Sequence, residues 1–408
     1  MSSPSRPSAS SSELGPAPSA ASSALPPLVN AAFLRVLIAQ LSIGFGFSIY
    51  FLLPKYLATE LGAEPSTVGM VTATGLAAAV LASPLMGAAL DRFGRQRPML
   101  VGGLAIVLTS LGMLTVSSVG AWLYFLRIVQ GMGFALAFNA AAVIVTDLAP
   151  PERIGQAMGL LGVASLVTNA VAPALGESIA LAWGWSPVFL LAGAMGVAVM
   201  AFSFSLPRVP RRSAANTPVV EPSAAGVWYA AGITGAAFGT LITFAQGYAL
   251  ELGAERVAGY FIGYTLGALI VRVGFGGSVD RMGRRRVAQF ALAGYGVVLL
   301  LTADLRPSLL GLFGFGFGIA HGFTYPALAA LVAEGSSAAK RGRAIAAFNA
   351  AFNAGAGVAM LGCGWLARVE GYRFVFALVG VITLVSVTAL AAPARRVAQS
   401  LAPPDSHP

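Results

Sequence analysis

Three ionisable side chains, Arg127, Glu177 and His321, lie inside long apolar stretches of the sequence. A charged or titratable group is costly within a bilayer, so such residues usually serve a purpose there. An imidazole can take up and release a proton near neutral pH, and a carboxylate can do so when its surroundings change. A guanidinium can hold an anion or bias the protonation of a neighbour. The three residues are therefore candidates for coupling proton exchange to the binding of a solute, with His321 expected nearer the centre.

Each of these residues also has a purely structural interpretation. Arg127 can pin its helix by bonding to backbone carbonyls, and His321 can be a neutral imidazole hydrogen-bonded to a neighbouring helix. Glu177 can reach the outer interface between helices instead of carrying a proton. The sequence leaves these alternatives open. Glu177 is the one acid of the predicted spans that lies more than about one turn from a span end, so proton coupling has few possible carriers.

The composition assigns the chain to membrane proteins. Of its 408 residues 57% are hydrophobic and 10% are charged, and the mean hydropathy is +0.79, which leaves too little polar surface to cover a soluble globule. The single cysteine, Cys363, excludes an intrachain disulfide, and two histidines far apart predict no metal site. A G-x-x-x-x-G-K-[ST] string is absent, so we expect no nucleotide cofactor, and no catalytic residues are predicted.

Apolar runs of roughly 20 residues, the length of a membrane-crossing helix, recur along the chain. They predict an all-α polytopic membrane protein with twelve transmembrane helices. A polar and basic segment divides these helices into two groups of six. The predicted organisation is a disordered cytoplasmic tail over 1–29, an N-terminal half over 30–206, a cytoplasmic linker over 207–224, a C-terminal half over 225–393 and a cytoplasmic tail over 394–408. The approximate spans are 31–57, 66–90, 97–117, 120–146, 154–182, 186–206, 225–251, 257–279, 287–304, 307–333, 343–367 and 372–393.

Lysine and arginine are distributed unequally between the two sides of this layout. With a cytoplasmic N-terminus, eighteen of the 25 fall on the cytoplasmic side, and two, Arg127 and Arg272, fall within spans. Positive residues favour the cytoplasmic side, so both termini are predicted to be cytoplasmic. The outer side keeps five: Lys55, Arg256, Arg306, Arg368 and Arg373. Of these, Lys55 and Arg256 are predicted to be reachable from outside.

A G-x-x-x-D-R-x-G-R-x-R string at the end of the second span returns in the second half. The copies begin at Gly87 and Gly276, 189 residues apart, and the turn 61–64 likewise matches 252–255. Six helices were therefore duplicated head to tail. The strings resemble the signature loop of the major facilitator superfamily of secondary transporters. That resemblance implies two parallel six-helix repeats, alternating access and gating loops formed by Gly87, Asp91, Arg92, Gly94, Arg95, Gly276, Asp280, Arg281, Gly283 and Arg284.

Two more strings resemble patterns of this superfamily. The segment 127–133 matches R-x-x-Q-G-x-G, and the segment 169–177 resembles the antiporter pattern G-P-x-x-G-G, in which a proline bends the helix. In the second string Ala172 and Glu177 stand where the pattern has glycine, so it is only partly matched. Together with Tyr325-Pro326-Ala327-Leu328, these strings resemble the arabinose-efflux-like and drug-exporter branches.

This resemblance implies secondary active export of a small organic solute, coupled to protons. An uptake permease or an uncoupled facilitator is the alternative that the scarcity of acids leaves open. A membrane sensor with the same fold and no transport is a third possibility. The resemblance further implies a monomer in the cytoplasmic (inner) membrane that is not an enzyme, with a small-molecule substrate, protons and the lipid bilayer as partners and no nucleic acid.

Polar and aromatic residues near the middle of the spans are candidates for lining a cavity between the halves. A solute site of this kind combines apolar walls with a few polar contacts. Amides also join helices to one another, so each of these residues has a packing alternative. The candidates are Gln40, Phe134, Phe138, Asn139, Asn169, Gln246, Tyr325, Asn349 and Asn353.

Overall fold

The computed structural model describes residues 30–150, 153–205, 225–275, 282–334 and 341–391. These ranges form helices joined by short turns and contain no β-strand. One 3₁₀ turn, Ile49–Leu52, joins the first two helices, and another, Pro307–Leu309, precedes α11. The helices are α1 (Ala31–Ser48), α2 (Leu53–Thr59), α3 (Pro65–Phe93), α4 (Gln96–Met113), α5 (Ala121–Leu148), α6 (Ile154–Trp183), α7 (Trp185–Ser205), α8 (Ala225–Glu251), α9 (Ala258–Gly274), α10 (Arg284–Thr302), α11 (Leu310–Glu334) and α12 (Arg341–Ala391).

Helix ends follow local sequence signals. Asn30 caps α1, because its side chain accepts a hydrogen bond from the Phe33 N–H at 2.9 Å. Gly94, in the first loop string, ends α3 with a φ of 75°, and Gly371 has a φ of 81°, a region that favours glycine. Gly371 divides the 51-residue α12 into two segments that correspond to the predicted spans 343–367 and 372–393.

Eight helices of the described ranges are long and apolar enough to cross a bilayer, and the last of these, Ala347–Leu390, contains Gly371. The apolar helix Ala258–Gly274 is shorter. Two predicted spans, which correspond to α4 and α10, are not in this group; both helices have basic residues in their first turn. The chain is thus a multi-pass all-α membrane protein, while twelve crossings and two cytoplasmic termini stay predictions.

The internal repeat is present in the packing as well as in the sequence. A Cβ added to Gly131 of α5 would run into the carbonyl of Gly75 on α3, and one added to Gly318 of α11 would run into the carbonyl of Tyr264 on α9. Gly131 and Gly318 are 187 residues apart, and Gly75 and Tyr264 are 189 apart, so the two crossings match the offset of the repeat in the sequence. Small residues allow such close approach of helix backbones in membranes.

The two halves, 30–205 and 225–391 in the described ranges, meet where α6 packs on α9 and α3 packs on α12. At the second crossing a Cβ added to Gly364 would lie 2.8 Å from the Pro65 carbonyl oxygen, and one added to Gly69 would run into the Met360 carbonyl. Pro65 begins α3. The crossing therefore lies at the outer end, by which we mean the end of the bundle that holds the turn 60–64 and that the charge distribution predicts to be outside.

Candidate functional site

Glu177 lies buried where the two halves meet, near the outer end of α6. Its Oε1 accepts hydrogen bonds from Lys55 Nζ at 2.6 Å and from the Val257 N–H at 2.7 Å, and its Oε2 accepts from the Ala258 N–H at 2.7 Å. Lys55 Nζ also donates to the Glu255 carbonyl at 2.6 Å. Lys55 and Glu177 belong to the N-terminal half, and residues 255–258 belong to the C-terminal half. We call these five residues the outer latch.

The outer latch supplies hydrogen-bond and charge partners to polar groups that have none in their own helix. Ala258 begins α9, and the first N–H groups of a helix have no acceptor within that helix. Val257, the capping position, carries no side-chain acceptor, so the cap has to come from elsewhere. A carboxylate is a favourable partner because the helix dipole is positive at this end. Lys55 balances the charge of the Glu177 carboxylate, as a buried charge requires.

Both charged side chains of the outer latch are removed from solvent. Lys55 is 6% exposed and Glu177 is 2% exposed. The expectation that Lys55 is reachable from outside is therefore wrong for this conformation, because the C-terminal half covers it. Of the two interpretations of Glu177, the contacts favour a role at the outer interface. That role does not exclude proton transfer, since the carboxylate would lose its partners if the halves separated.

Below the outer latch, further contacts join the halves. The ring of Phe51 stacks on that of Phe261 with centroids 5.7 Å apart, and Gln246 Nε2 donates to the Phe51 carbonyl at 2.7 Å. Deeper along the pair of helices α6 and α9, Thr265 Oγ1 donates to the Leu166 carbonyl at 3.2 Å. We call the contact of α6 with α9, from the outer latch inward, the seam.

Arg127, in α5, is bound within its own half. Its Nε donates to the Val71 carbonyl of α3 at 3.3 Å, and its Nη1 donates to Gln130 Oε1. The guanidinium lies over Gly75, where an added Cβ would be 2.6 Å from Nη2. These contacts favour the interpretation in which Arg127 pins α5 to α3. A larger residue at position 75 would displace the guanidinium.

His321, in α11, is 9% exposed and lies among aromatic rings. Its Nδ1 is 3.0 Å from the Tyr295 hydroxyl oxygen. The ring centroids of Phe238 and Tyr325 lie 5.0 Å and 5.6 Å from that of the imidazole. These partners all belong to the C-terminal half. A movement of one half against the other would therefore leave the described contacts of His321 unchanged.

Several amides predicted to line a cavity join helices instead. Gln40 Nε2 donates to Ser165 Oγ at 3.0 Å, and Asn169 Oδ1 accepts from Ser48 Oγ at 2.7 Å, so both pairs connect α1 to α6. Gln40 and Gln246 have no exposed surface. Their assignment to a cavity wall is thus corrected for this conformation, because a completely buried side chain cannot contact a solute there.

The other cavity candidates keep some exposed surface. Asn139 is exposed, and its amide donates to the Ala135 carbonyl of its own helix at 2.7 Å. The Tyr325 hydroxyl donates to Asn349 Oδ1, which joins α11 to α12. The role of these side chains in binding a solute stays a prediction. The half-buried candidates are Phe134, Phe138, Asn169, Tyr325, Asn349 and Asn353.

The first loop string connects α3 to α4 at the inner end, opposite the outer end. Arg95 Nε pairs with Asp147 Oδ2 at 2.9 Å, and side-chain exposures of 12% and 7% make this a largely buried ion pair. Arg92 lies with its guanidinium carbon 5.3 Å from the ring centroid of Phe93. The loop is thus bound to the inner end of α5. Gly87 and Asp91 lie within α3, and the Asp91 side chain is outside the described part.

Much of the second loop string falls outside the described residues: Gly276, Asp280 and Arg281. Of the remainder, Gly283 has a φ of 85° and directly precedes α10, of which Arg284 is the first residue. The gating role of both strings stays a prediction.

Two basic residues inside apolar runs contact the other half but were not predicted as site residues. Lys55 was counted only for orientation, although it interrupts an otherwise apolar run. Arg272 was noted inside the span 257–279, and the structure places its guanidinium against Gly162 on α6. An ionisable residue inside an apolar run is the signal that could have indicated both.

A cleft of about 380 Å³ opens at the outer end of the N-terminal half. Tyr56, Trp185 and Phe189 are among its lining residues. Every lining residue belongs to the N-terminal half, so the cleft is separate from the space between the halves that a transported solute must cross.

Comparison with known proteins agrees with this architecture. The family model described as Major Facilitator Superfamily matches residues 36–262 and 227–406. The multi-drug resistance efflux pump PmrA of Streptococcus pneumoniae is 26% identical over 332 residues, which cover 76% of this chain and 81% of PmrA. A chloramphenicol resistance protein of Pseudomonas aeruginosa is 31% identical over 149 residues, 36% of this chain and 35% of that protein.

Solved structures share the fold at low sequence identity. The crystal structure of the nucleoside transporter NupG superposes with a TM-score of 0.74 at 13% identity, covering 89% of this chain and 98% of NupG. Because the family model matches both halves and includes the two loop strings, the resemblance seen in the sequence is confirmed. The chain belongs to the major facilitator superfamily of membrane transporters, and it is not an enzyme.

Proposed function

We propose that this protein exports a small organic solute across the cytoplasmic membrane by alternating access, and that the outer latch holds the outer end closed during part of the cycle. The observation that carries the proposal is the position of Glu177, which binds Lys55 of its own half and the start of α9 in the other half. Contacts that exist in only one of two states are what biases such an equilibrium. The efflux function named for PmrA supports the direction.

The distribution of contacts supports a state that is open toward the inner end. The hydrogen bonds described at that end stay within one half, such as Arg95 with Asp147, and Arg285 with the Leu390 carbonyl at 2.6 Å. The outer end, in contrast, carries the latch and the glycine crossing of α3 with α12. An exporter in this state takes up its solute from the cytoplasm.

Transport direction tests the proposal. Purified protein in proteoliposomes, and inside-out membrane vesicles, are given a panel of anionic, neutral and cationic organic solutes under an imposed pH gradient. An exporter accumulates its solute in inside-out vesicles and depletes it from intact cells. Accumulation in intact cells would identify an uptake permease instead. The absence of protein-dependent flux for the whole panel would favour a membrane sensor and contradict the proposal.

Glu177 is the better candidate for a proton carrier than His321. A carrier has to experience different surroundings in the two states, because coupling requires differential binding. The partners of Glu177 come from both halves, whereas those described for His321 come from its own half. Separation of the halves at the outer end would remove the α9 N–H groups from Glu177 and admit water to its carboxylate.

We therefore expect Glu177→Gln to abolish proton movement driven by the solute, while His321→Gln retains it. Glutamine keeps the size of the side chain and removes the group that exchanges a proton. A pH-sensitive dye inside proteoliposomes measures the proton flux, and the solute flux is followed in parallel. If proton movement is lost in His321→Gln alone, the imidazole is the proton carrier instead. If both variants move as many protons per transported solute as the wild type, neither residue carries the proton.

A further inference from the structure

We propose that Arg272 forms a binding subsite for an anionic group, so that the exported solute is an organic acid with an apolar or aromatic body. This inference rests on the proposed export function and specifies the class of substrate. The subsite lies on the seam, between α9 of one half and α6 of the other. The Arg272 guanidinium lies against the N-terminal half, and no acidic residue of the described ranges pairs with it.

Arg272 is half-buried near the inner end of α9, and its Nη1 lies 2.8 Å from the place that a Cβ on Gly162 would occupy. Within the described ranges, no carboxylate or carbonyl oxygen accepts a hydrogen bond from this guanidinium. A side chain at position 162 would displace the guanidinium, whereas glycine allows it to lie against the α6 backbone.

Several other described arginines have partners. Arg127 donates to a carbonyl and to Gln130, and Arg95 pairs with Asp147. Even the exposed Arg368 pairs with Glu64 across the halves at 2.8 Å. An arginine does not lose its proton in proteins, so its charge requires compensation inside a membrane. Arg272 has no such partner in the described ranges, and an anion that enters the seam would supply one.

The surroundings of Arg272 suit an anion that carries an apolar body. An added Cβ on Gly322 of α11 would touch Val271, so the helix turn of Arg272 lies directly beside that of His321 and Tyr325. Phe238 and Phe352 flank the imidazole in the same half, with centroid distances of 5.0 Å and 6.1 Å. Hydrogen-bond donors and aromatic faces are present, and no acidic side chain of the described ranges pairs with Arg272.

The depth of Arg272 places it where a solute from the cytoplasm would arrive. Ala258, Thr265 and Arg272 follow one another at seven-residue intervals on α9, and the first two contact Glu177 and Leu166 of α6. At 1.5 Å per residue, Arg272 lies roughly 20 Å inward of the outer latch. The outer latch closes the outer end of the bundle, and the subsite lies at the inner part of the seam, toward the open inner end. A bound anion would neutralise Arg272 and allow the halves to close around it.

The subsite is tested by binding to the full chain in nanodiscs, with matched pairs of probes that differ only in charge. The carboxylates benzoate, 2-naphthoate and decanoate are compared with benzamide, 2-naphthamide and decanamide by their effect on the melting temperature. We expect carboxylates to stabilise the wild type more than their amides. Arg272→Gln should weaken carboxylate binding by roughly 10- to 100-fold, as expected for the loss of a charge-assisted hydrogen bond, and leave amide binding unchanged.

Two glycine variants provide a matched control for folding. Gly162→Ala adds a methyl group beside the guanidinium, while Gly159→Ala adds one where nothing lies within 4 Å. We expect Gly162→Ala to weaken carboxylate binding and Gly159→Ala to leave it as in the wild type. Equal carboxylate affinity in wild type and Arg272→Gln, or no carboxylate binding to the wild type, would overturn the subsite. Export restricted to neutral or cationic solutes would overturn the subsite while preserving the proposed export function. Anion binding without flux would support the subsite and contradict the export function.

Discussion

Replacing Glu177 with alanine is expected to open the outer end and to reduce transport by at least tenfold. The substitution leaves Lys55 buried without its counter-charge and removes the cap of α9. Breaking a buried ion pair on one side costs about 3–5 kcal/mol, and loss of a helix cap about 1 kcal/mol. These costs fall on the state in which the outer end is closed. A penalty of this size changes the ratio of the two states by roughly a hundredfold or more.

Opening can be measured by cysteine labelling from outside. Cys363 is the single cysteine of the chain and is buried, so it is first replaced by alanine. The reporter is Leu52→Cys, because Leu52 has no exposed surface and packs in a cluster with residues of the C-terminal half. Faster labelling of this cysteine in the Glu177→Ala background is the expected result. The double variant Lys55→Met/Glu177→Gln should label more slowly than Glu177→Ala, since it leaves no unpaired charge.

The ion pair between Arg368 and Glu64 provides the control. It also joins the halves at the outer end, with an N–O distance of 2.8 Å, but the two side chains are 56% and 58% exposed. An exposed pair contributes only about 0–1 kcal/mol. We expect Glu64→Gln to transport and label like the wild type. A change as large as that of Glu177→Ala would mean that any charge at this end affects closure, and the special role of the outer latch would be wrong.

Replacing Gly364 with valine is expected to abolish transport and to keep the outer end open. The Cβ of the new side chain would lie 2.8 Å from the Pro65 carbonyl oxygen and 3.3 Å from the Ser66 Cα. Backbone atoms cannot rotate away as side chains do, so α12 and α3 would have to separate. Overpacking of this kind costs about 1–3 kcal/mol or more, and the whole cost falls on the closed outer end.

The same Leu52→Cys reporter measures this effect, together with solute flux in proteoliposomes. Gly362→Val on the same helix is the matched control, because nothing lies within 4 Å of a Cβ added at Gly362. The control should transport normally. If Gly364→Val is expressed at wild-type levels, transports its solute and protects Leu52→Cys, then close contact of α3 with α12 is not needed in the cycle.

The amino-acid sequence by itself determined the fold class and the internal repeat. A bilayer demands helices that satisfy their own backbone hydrogen bonds, so the length of each apolar run predicts a helix without knowledge of its neighbours. The predicted span 154–182 corresponds to α6, Ile154–Trp183. The loop strings at Gly87 and Gly276 and their common offset indicated the duplication and the family. These properties depend on the order of residues along the chain and not on tertiary contacts.

The pattern along each helix did not reveal which face meets the other half. In a soluble protein the buried face is apolar and the exposed face is polar, so periodicity identifies the core. In lipid both faces are apolar, and helix association depends on close packing and isolated polar contacts. Gln40 and Gln246 therefore looked equally suited to a cavity wall or to helix packing. Their complete burial decided the matter for this conformation.

Only the tertiary structure decided the partners of the charged residues. Glu177 meets Lys55, 122 residues away, and Val257, 80 residues away, from opposite halves. The sequence contained all three residues but not the helix rotations and the docking of the halves that bring them together. The same docking sets the Arg272 guanidinium against Gly162 of the other half, whereas packing within the C-terminal half encloses His321 among aromatic rings. A charge inside a membrane is visible in a sequence, whereas its compensation depends on which helices are neighbours in space.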